Sequence, residues 1–397
     1  MNNRLLIYGD YYIKPSGFAR EFRDLIPELQ KLGWDIRQVA LGYNGFPEDK
    51  NIKVYPGKFY KLDSYWAREM LEYAIKDFDP DIVLSLGDYY MLPKIAFAMA
   101  YPHKAKWIHW GVLDGAPLGF GCKEPLKWVD YNLGHSDFAL DEIRKVLPDI
   151  QGEKFIPATN PDIFYEMNKK KLRKEFGCED KYVITTVARN QTRKNLPALL
   201  EAMRYLRKDI PNAMLLLGLT QQNTITPEGA LEGHQIQYLI DYFEVNDCVV
   251  IPKEKDGKGS LTDKTIREIY NLGDIFCLPS MGEGFGMIFH ESLACGVPVL
   301  GTECSAIPET IKDFGSYLHP ESFFYTQDGV SQAVVNSLEV MDAIDDAHSR
   351  KEEFDKKGQE GKIYVSQFTP INQAKKLDEI MKRVISEDIK SIMRQEV

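Results

Sequence analysis

Long apolar runs are missing from this 397-residue chain: none approaches the ~18–20 residues that a membrane-spanning helix needs. Paired cysteines are missing too. Cys122, Cys178, Cys248, Cys277, Cys295 and Cys304 form no C-x-x-C pair and lie far apart, which argues against a disulfide scaffold and leaves them as reduced, mostly buried thiols. A zinc site needs clustered Cys or His, and His290-Glu291 has Ala294 where a second His would stand, so no protein-held metal is expected. Basic excess is absent as well. With 49 Lys and Arg against 59 Asp and Glu the net charge is −10, and neither half of the chain reverses the sign. Charge therefore gives no support for a nucleic-acid backbone or an anionic membrane as partner. The start, Met1 to Gly9, is too short in its apolar part for a signal peptide and lacks a small-residue cleavage site. A cytoplasmic location is the expectation, compatible with a peripheral position at the inner membrane face.

What is present is the composition of an ordinary globular protein of two or three domains, 44% hydrophobic and 27% charged. Arg4–Gly9 is a short apolar run ending in glycine, a buried-strand pattern. Phe18, Phe22, Leu25, Ile26, Leu29 and Leu32 then fall on one helical face, Gly33 breaks the helix, and Ile36–Leu41 reads as the next strand. This is the β-α-β unit of a parallel sheet. A helix over Tyr65–Phe78, strands at Ile82–Leu86 and Lys106–Trp110, and the Gly-rich loop Gly111–Gly121 continue it, with His109 read as ending its strand. After Phe155-Ile156-Pro157, the segment Ala158–Phe164 has two prolines and no periodicity, as a linker would. The alternation restarts with strands at Tyr182–Ala188, Ala213–Gly218, Cys248–Ile251, Ile275–Leu278 and Val297–Gly301. Helices are expected at Leu196–Leu206, around 231–244, 262–272 and 287–295, and a last amphipathic one over 372–393. The reading is α/β: two Rossmann-like, doubly wound domains, residues 1–160 and 161–370, with a terminal helix in 371–397. Ligands are expected at strand C-termini facing an interdomain cleft.

Two clusters carry chemistry. In Pro279-Ser280-Met281-Gly282-Glu283-Gly284-Phe285-Gly286, a carboxylate sits in a glycine-rich loop directly after a strand, and Glu291 follows about two turns into the next helix. The glycines let backbone N–H groups approach a ligand at a helix start, where phosphate or a polarised hydroxyl is favoured. A carboxylate there is suited to sugar or ribose hydroxyls rather than to phosphate. In Arg189-Asn190-Gln191-Thr192-Arg193-Lys194, cations on the loop after the first strand of the second half frame the next helix and are placed to hold a diphosphate.

The pattern Pro-Ser-x-x-Glu-Gly-Phe-Gly-x6-Glu, running on through Ala294-Cys295-Gly296-Val297-Pro298-Val299, resembles the retaining family-four glycosyltransferases of the GT-B fold. Arg189 and Lys194 match their Arg-x4-Lys pair, Ile156-Pro157 with Asp162-Ile163-Phe164 their linker, Pro308-Glu309 their donor-closing Pro-Glu, and Ser16-Gly17 the place of their Gly-Gly loop. The resemblance implies a sugar moved, with retention and without metal or cofactor, from a UDP- or GDP-linked donor to a saccharide, glycolipid or other hydroxyl acceptor. Glu283 would hold donor-sugar hydroxyls, Glu291 the ribose, and Arg189 with Lys194 the leaving diphosphate. Gly284, Phe285, Gly286, Ser16, Gly17 and Glu309 would complete the donor site, with Ile251 and Lys253 framing the nucleobase. His109 would contact the sugar, and Asp88 and Asp114 are the acceptor candidates; Asp10 and His135-Ser136 are weaker ones. The last helix would cross back to the first domain. Departures are the single glycine in Ser16-Gly17, Ala158-Thr159-Asn160-Pro161 in the linker, and Arg193, where acidic or neutral residues are more usual.

Asp79-Pro80-Asp81 spells a metal-binding D-x-D, yet it precedes a strand where Pro and Asp are ordinary turn residues. The rival readings are a nucleotide-sugar epimerase or phosphorylase on the same fold, a catalytically silent nucleotide-sugar binder, and a glycosyltransferase for a modified nucleic-acid base.

Overall fold

A computed structural model of the chain describes residues 3–14, 16–58, 67–100, 103–119, 121–221, 224–225, 231–253, 261–327 and 329–395. The chain divides into two compact units, one of residues 1–158, 327–330 and 368–397, the other of 159–326 and 331–367. The first unit runs β1 (Arg4–Asp10), α1 (Gly17–Lys31), β2 (Asp35–Leu41), β3 (Lys53–Pro56), α2 (Arg68–Phe78), β4 (Ile82–Asp88), α3 (Leu92–Met99), β5 (Lys106–Val112), α4 (Lys123–Leu126), β6 (Tyr131–Gly134), α5 (Asp137–Val146) and β7 (Gly152–Lys154). In the second unit α6 (Lys169–Phe176), β8 (Tyr182–Arg189), α7 (Leu196–Leu206), β9 (Ala213–Gln221), β10 (Thr224–Ile225), β11 (Leu231–Glu232), α8 (Ile236–Tyr242) and β12 (Val249–Val250) come first. They are followed by α9 (Asp263–Leu272), β13 (Ile275–Leu278), α10 (Met287–Ala294), β14 (Val299–Thr302), α11 (Ile307–Ile311), β15 (Gly315–Leu318), β16 (Ser322–Tyr325), β17 (Ser331–Val334), α12 (Ser337–Ser349) and α13 (Lys351–Val365). The chain then returns to the first unit with α14 (Pro370–Ser386) and α15 (Ile392–Gln395).

The main sheet of each unit is wholly parallel, with the same winding in both, and two antiparallel pairs, β10–β11 and β16–β17, stand outside that of the second. The orders are β3-β2-β1-β4-β5-β6-β7 and β12-β9-β8-β13-β14-β15, so in both the chain moves outward one way, returns to the middle, and moves out the other way. The reversal falls between β1 and β4 in the first sheet and between β8 and β13 in the second. At such a point the loops leaving adjacent strands diverge to opposite faces and leave a crevice.

Alternation along the strands builds two cores in the first unit. Leu6 and Tyr8 of β1, Val83 of β4 and Trp107 of β5 join α2, α3 and α5. Leu5 and Ile7, Leu84, Ile108 and Trp110 point the other way, to α1 and α14. Ser16 caps α1 by accepting from the Ala19 amide at 3.1 Å, and Gly33 at φ 93° ends it in a conformation glycine adopts without strain. Phe22, Leu25, Ile26 and Leu29 of α1 meet Ala374, Leu377, Ile380, Met381 and Val384 of α14, while Trp34 Nε1 donates to Asp378 Oδ1 at 2.8 Å.

Three expectations need correction. The last helix was expected over 372–393; it stops at Ser386 because Asp388 takes a left-handed backbone (φ 47°) and pairs with Lys106, and α15 begins separately at Ile392. The helix expected around 231–244 is confined to Ile236–Tyr242: Gly233, at φ 103°, lies so close to Asn190 that a Cβ would come within 2.2 Å of its carbonyl oxygen. His109 does not end its strand. It is the fourth of seven residues in β5, which runs on to Val112 because Gly111 and Val112 still pair with Gly87 and Asp88 of β4.

Leu377 is fully buried between α14 and α1. Leu377→Ala is expected to lower the unfolding free energy by about 2–5 kcal/mol through lost burial and the cavity left behind. All five tryptophans precede residue 129, so urea unfolding followed by tryptophan fluorescence reads the first unit alone; an unchanged midpoint would contradict the packing described.

Candidate functional site

The reversal point of the second sheet gathers the charged residues singled out from the sequence. β8 ends at Arg189, whose side chain is exposed, with a register shift between Ala188 and Arg189 against β9. The loop beyond it is pinned by Asn190, whose amide donates to the His234 carbonyl at 2.8 Å and accepts from the His234 amide at 2.9 Å. A single 3-10 turn, Thr192–Lys194, then leads to Asn195 in a left-handed conformation (φ 49°) that Asn tolerates better than most residues. The turn carries Lys194 inward.

β13 ends at Leu278, and Pro279–Gly286 forms the facing loop. Lys194 Nζ donates to Glu283 Oε1 at 2.5 Å, and Arg193 lies 3.0 Å from Glu283 Oε2 while also donating to the Gly282 carbonyl. Lys194 and Glu283 are each only 7% exposed. The backbones are tied together as well: the Met281 amide donates to the Arg193 carbonyl at 2.8 Å, and Ser305 both donates to the Glu283 carbonyl and accepts from the Glu283 amide. Burial alone would push the Glu283 carboxyl up. The charges of Arg193 and Lys194, with hydrogen bonds from Lys194 and Ser280, outweigh it and hold the group well below the ordinary carboxylate range.

Gly284, Phe285 and Gly286 follow, all buried, and Gly286 at φ 86° is the N-cap of α10. Thr310 Oγ1 fastens the Phe285 carbonyl at 2.5 Å. Glu291, inside α10, is 4% exposed and its Oε2 accepts from Tyr270 at 2.9 Å. Glu309 lies half-buried in the first turn of α11. Ile251 is half-buried and Lys253 exposed just after β12; residues 254–260 lie outside the described residues. His290 is fully buried against the edge of Phe285, and burial, with Lys312 nearby, lowers its pKa to about 3, so it is a neutral packing residue.

In the first unit, Asp88 ends β4 and Asp114 follows β5, both half-buried. Ser16 Oγ donates to Asp10 Oδ2 at 2.7 Å while capping α1, so that hydroxyl is committed. Gly17 opens the helix. His109 has no exposed surface. Its Nδ1 is 2.9 Å from Ser85 Oγ, its Nε2 has no partner among the described residues, and burial, with a smaller contribution from His135, lowers its pKa to about 3. His135 is held between Glu21 (2.9 Å) and the Gly111 carbonyl (3.0 Å) and stacks on Trp110, while Ser136 caps α5.

A cavity of about 540 Å³ opens at the opposite end of the second sheet's strands, where Asp274 precedes β13. There Lys169, Arg173 and Lys351 approach Asp274 at 3.2, 2.5 and 3.4 Å, and Lys351 also pairs with Asp355 at 2.8 Å. With Lys170, Glu166 and Glu179, which also line the cavity, these charges balance, and Asp274 stands at the N-terminal end of β13, away from the diverging loops. Among the described residues no group of three or more His, Cys, Asp or Glu side chains is placed to hold a metal ion, and no helix is long and apolar enough to cross a membrane.

The family model described as "Glycosyl transferases group 1" matches residues 168–323, which run from the cap of α6 into β16 and include both charged loops. Residues 168–323 belong to the glycosyl transferases group 1 family. Sequence relatives of this glycosyltransferase domain include N-acetyl-alpha-D-glucosaminyl L-malate synthase of Bacillus anthracis, 24% identical over 151 residues, covering 38% of this chain and 35% of that protein. D-inositol 3-phosphate glycosyltransferase of Segniliparus rotundus is 26% identical over 160 residues, covering 40% and 33%. The match thus spans about a third of the length of either relative. Two solved structures share the fold across both units. Sucrose-phosphate synthase of Thermosynechococcus elongatus has a TM-score of 0.76 at 16% identity, covering 97% of this chain and 100% of that one. Anabaena HepE, solved with UDP and glucose, has a TM-score of 0.71 at 13% identity, covering 96% and 99%. The two-domain Rossmann-like GT-B architecture is therefore that of this chain.

Within the glycosyltransferase domain, sequence reasoning treated Arg193 as a departure and gave it no role, although its distance from the Glu283 carboxylate shows one. Only the tertiary structure could reveal this, since the two residues are 90 positions apart.

Glu283 sits below its ordinary value of 4.5, so its ionic contribution to stability is complete above that pH and is lost as the pH falls through the lowered folded value. Glu283→Gln leaves Lys194 buried without its counter-charge. The variant is expected to lose about 3–5 kcal/mol at about pH 7 and to show a shallower fall in stability toward about pH 3. Urea unfolding of both proteins by far-ultraviolet circular dichroism at the two pH values checks this, and parallel acid curves would refute it.

Proposed function

We propose that this chain is a retaining, metal-independent glycosyltransferase that moves a sugar from a nucleoside diphosphate donor to an acceptor hydroxyl. The observation that carries the reading is the Lys194–Glu283–Arg193 cluster at the reversal point of the second sheet, with Arg189 on the same loop. Three cations against one carboxylate leave two positive charges, which matches the two negative charges of a diphosphate diester. Backbone N–H groups at the start of α10 add a partial positive charge. The family match over residues 168–323 and the UDP-glucose bound in a structure of HepE support the same reading.

In this mechanism the bond from the anomeric carbon to the diphosphate oxygen breaks while Arg189 and Lys194 take up the charge that develops on that oxygen. Preorganised cations in a water-poor site are the largest contribution such a site makes. They supply charge that a divalent ion would otherwise bring. The acceptor oxygen approaches on the same face, bonds to the anomeric carbon, and passes its proton to the departing phosphate oxygen. Configuration is retained and no separate base is required. A double displacement would need a free carboxylate beside the anomeric carbon; Glu283, held by two cations, serves as a hydroxyl acceptor that orients the sugar. Glu291, turned toward Tyr270, is assigned the ribose, and Glu309 with the Phe285 and Gly286 backbone the remainder of the donor. Ile251 and Lys253 frame the base. In the first unit Asp88 and Asp114 are assigned to the acceptor, whereas His109 has no exposed surface with which to touch the sugar.

Lys194→Ala is expected to cut sugar transfer by roughly 10²–10³-fold while the protein stays folded, and transfer by the parent protein is expected to be unchanged by a chelator. Assays with UDP- and GDP-linked hexoses, with circular dichroism in parallel, test both. Full turnover in the folded variant would end the proposal.

A further inference from the structure

Glu291 on α10 and Tyr270 in the last turn of α9 are both withdrawn from solvent, at 4% and 0% exposure, and the Tyr270 hydroxyl donates to Glu291 Oε2 at 2.9 Å. The tyrosine ring lies edge-on to Phe164, with centroids 6.0 Å apart, and tilted against Phe276 of β13 at 5.6 Å. The helix that carries it is fastened to residues 163–167. Asn271 donates to the Tyr165 carbonyl at 3.0 Å and accepts from the Met167 amide at 2.6 Å, and Arg267 donates to the Ile163 carbonyl at 3.0 Å. Packed rings and a braced helix end therefore aim the hydroxyl at the carboxylate.

A glutamate carboxyl turns easily about its last torsion, whose minima are broad. A donor fixed on one oxygen selects one orientation of the carboxylate plane. It takes only one of the roughly four acceptor sites that an ionised carboxyl offers. We propose that Tyr270 is a positioning residue that sets the Glu291 carboxylate toward the vicinal hydroxyls of the donor's ribose, and so makes the site select nucleotides that carry that diol. The inference rests on the donor reading given above and adds the residue through which the nucleoside's own sugar is recognised. An analogue without the hydroxyls leaves a buried acceptor unpaired, and a site built to bond a hydroxyl rejects such an analogue more strongly than an apolar pocket would. Selection of this kind depends on orientation. Loss of the Tyr270 hydroxyl weakens it although the hydroxyl does not touch the ligand.

The test titrates the full chain by calorimetry with UDP and GDP and with their 2′,3′-dideoxy counterparts. The parent protein is expected to bind a ribonucleotide about ten-fold or more tighter than its dideoxy form. In Tyr270→Phe, which keeps the ring and removes the hydroxyl, that ratio is expected to fall to about two-fold, because ribonucleotide binding weakens and dideoxynucleotide binding does not. Partial unfolding of the variant would lower both apparent affinities by the same factor and cancel in the ratio. Glu291→Gln is expected to flatten the ratio as well, and adding Tyr270→Phe to it to change the ratio no further. An unchanged ratio in Tyr270→Phe, or a further fall when it is added to Glu291→Gln, overturns the positioning role, since the hydroxyl would then serve the core alone or act by another route. Equal binding of ribonucleotide and dideoxynucleotide by the parent overturns it together with the ribose assignment of Glu291. A parent protein that binds neither UDP nor GDP overturns the donor reading, and this inference with it.

Discussion

Two cations of one loop closing on a single carboxylate of another, Lys194 and Arg193 on Glu283, is the contact around which the second unit is arranged. The loops belong to β8 and β13, adjacent strands whose following segments leave the sheet on opposite faces. Without an ionic and hydrogen-bonded clasp the two loops would have little reason to stay together at that point. The clasp includes Met281 and Ser280 on the Arg193 carbonyl and Ser305 on both backbone groups of Glu283. Burying such a cluster costs desolvation, and apolar residues of similar volume would often be as stable.

The winding of each sheet makes that contact available. In the order 3-2-1-4-5-6 the first strand sits beside the fourth, which brings residues near 190 and near 283 to neighbouring positions. The first unit repeats the device with β1 and β4, and there Asp10 and Asp88 end the two central strands. The same geometry gives two surroundings of different character. In the second unit the two loops carry three cations to one carboxylate, whereas in the first the strand ends carry acids and a capping serine.

Regularities of short range were legible in the sequence. The continuous apolar run of β1, the helical face of α1 with its Gly33 stop, and the strand-loop-helix around Glu283 are properties of adjacent residues. So are the order of the motifs and the resemblance they carry. Elements with weak local pattern were not legible. β6 (Tyr-Asn-Leu-Gly) is four residues long, and Asn132 within it is buried only because the sheet surrounds it. α13 is largely polar and is held through Gly358 and Gly361, where added Cβ atoms would fall within 2.5 Å of the Gly296 carbonyl oxygen and a Leu293 methyl group, so the signal for the helix lies in close approach, not in apolar spacing.

The sequence by itself determined the alternation of strands and helices, the positions of the charged loops and the absence of a basic surplus, because each follows from residue type and spacing along the chain. Tertiary structure decided which charges meet. Arg193 became a partner of Glu283, Ser16 became a helix cap tied to Asp10, and His109 moved from a strand end to a fully buried place beside Ser85. A pairing energy falls steeply with distance, and distances between residues far apart in sequence are set only when the sheet has closed.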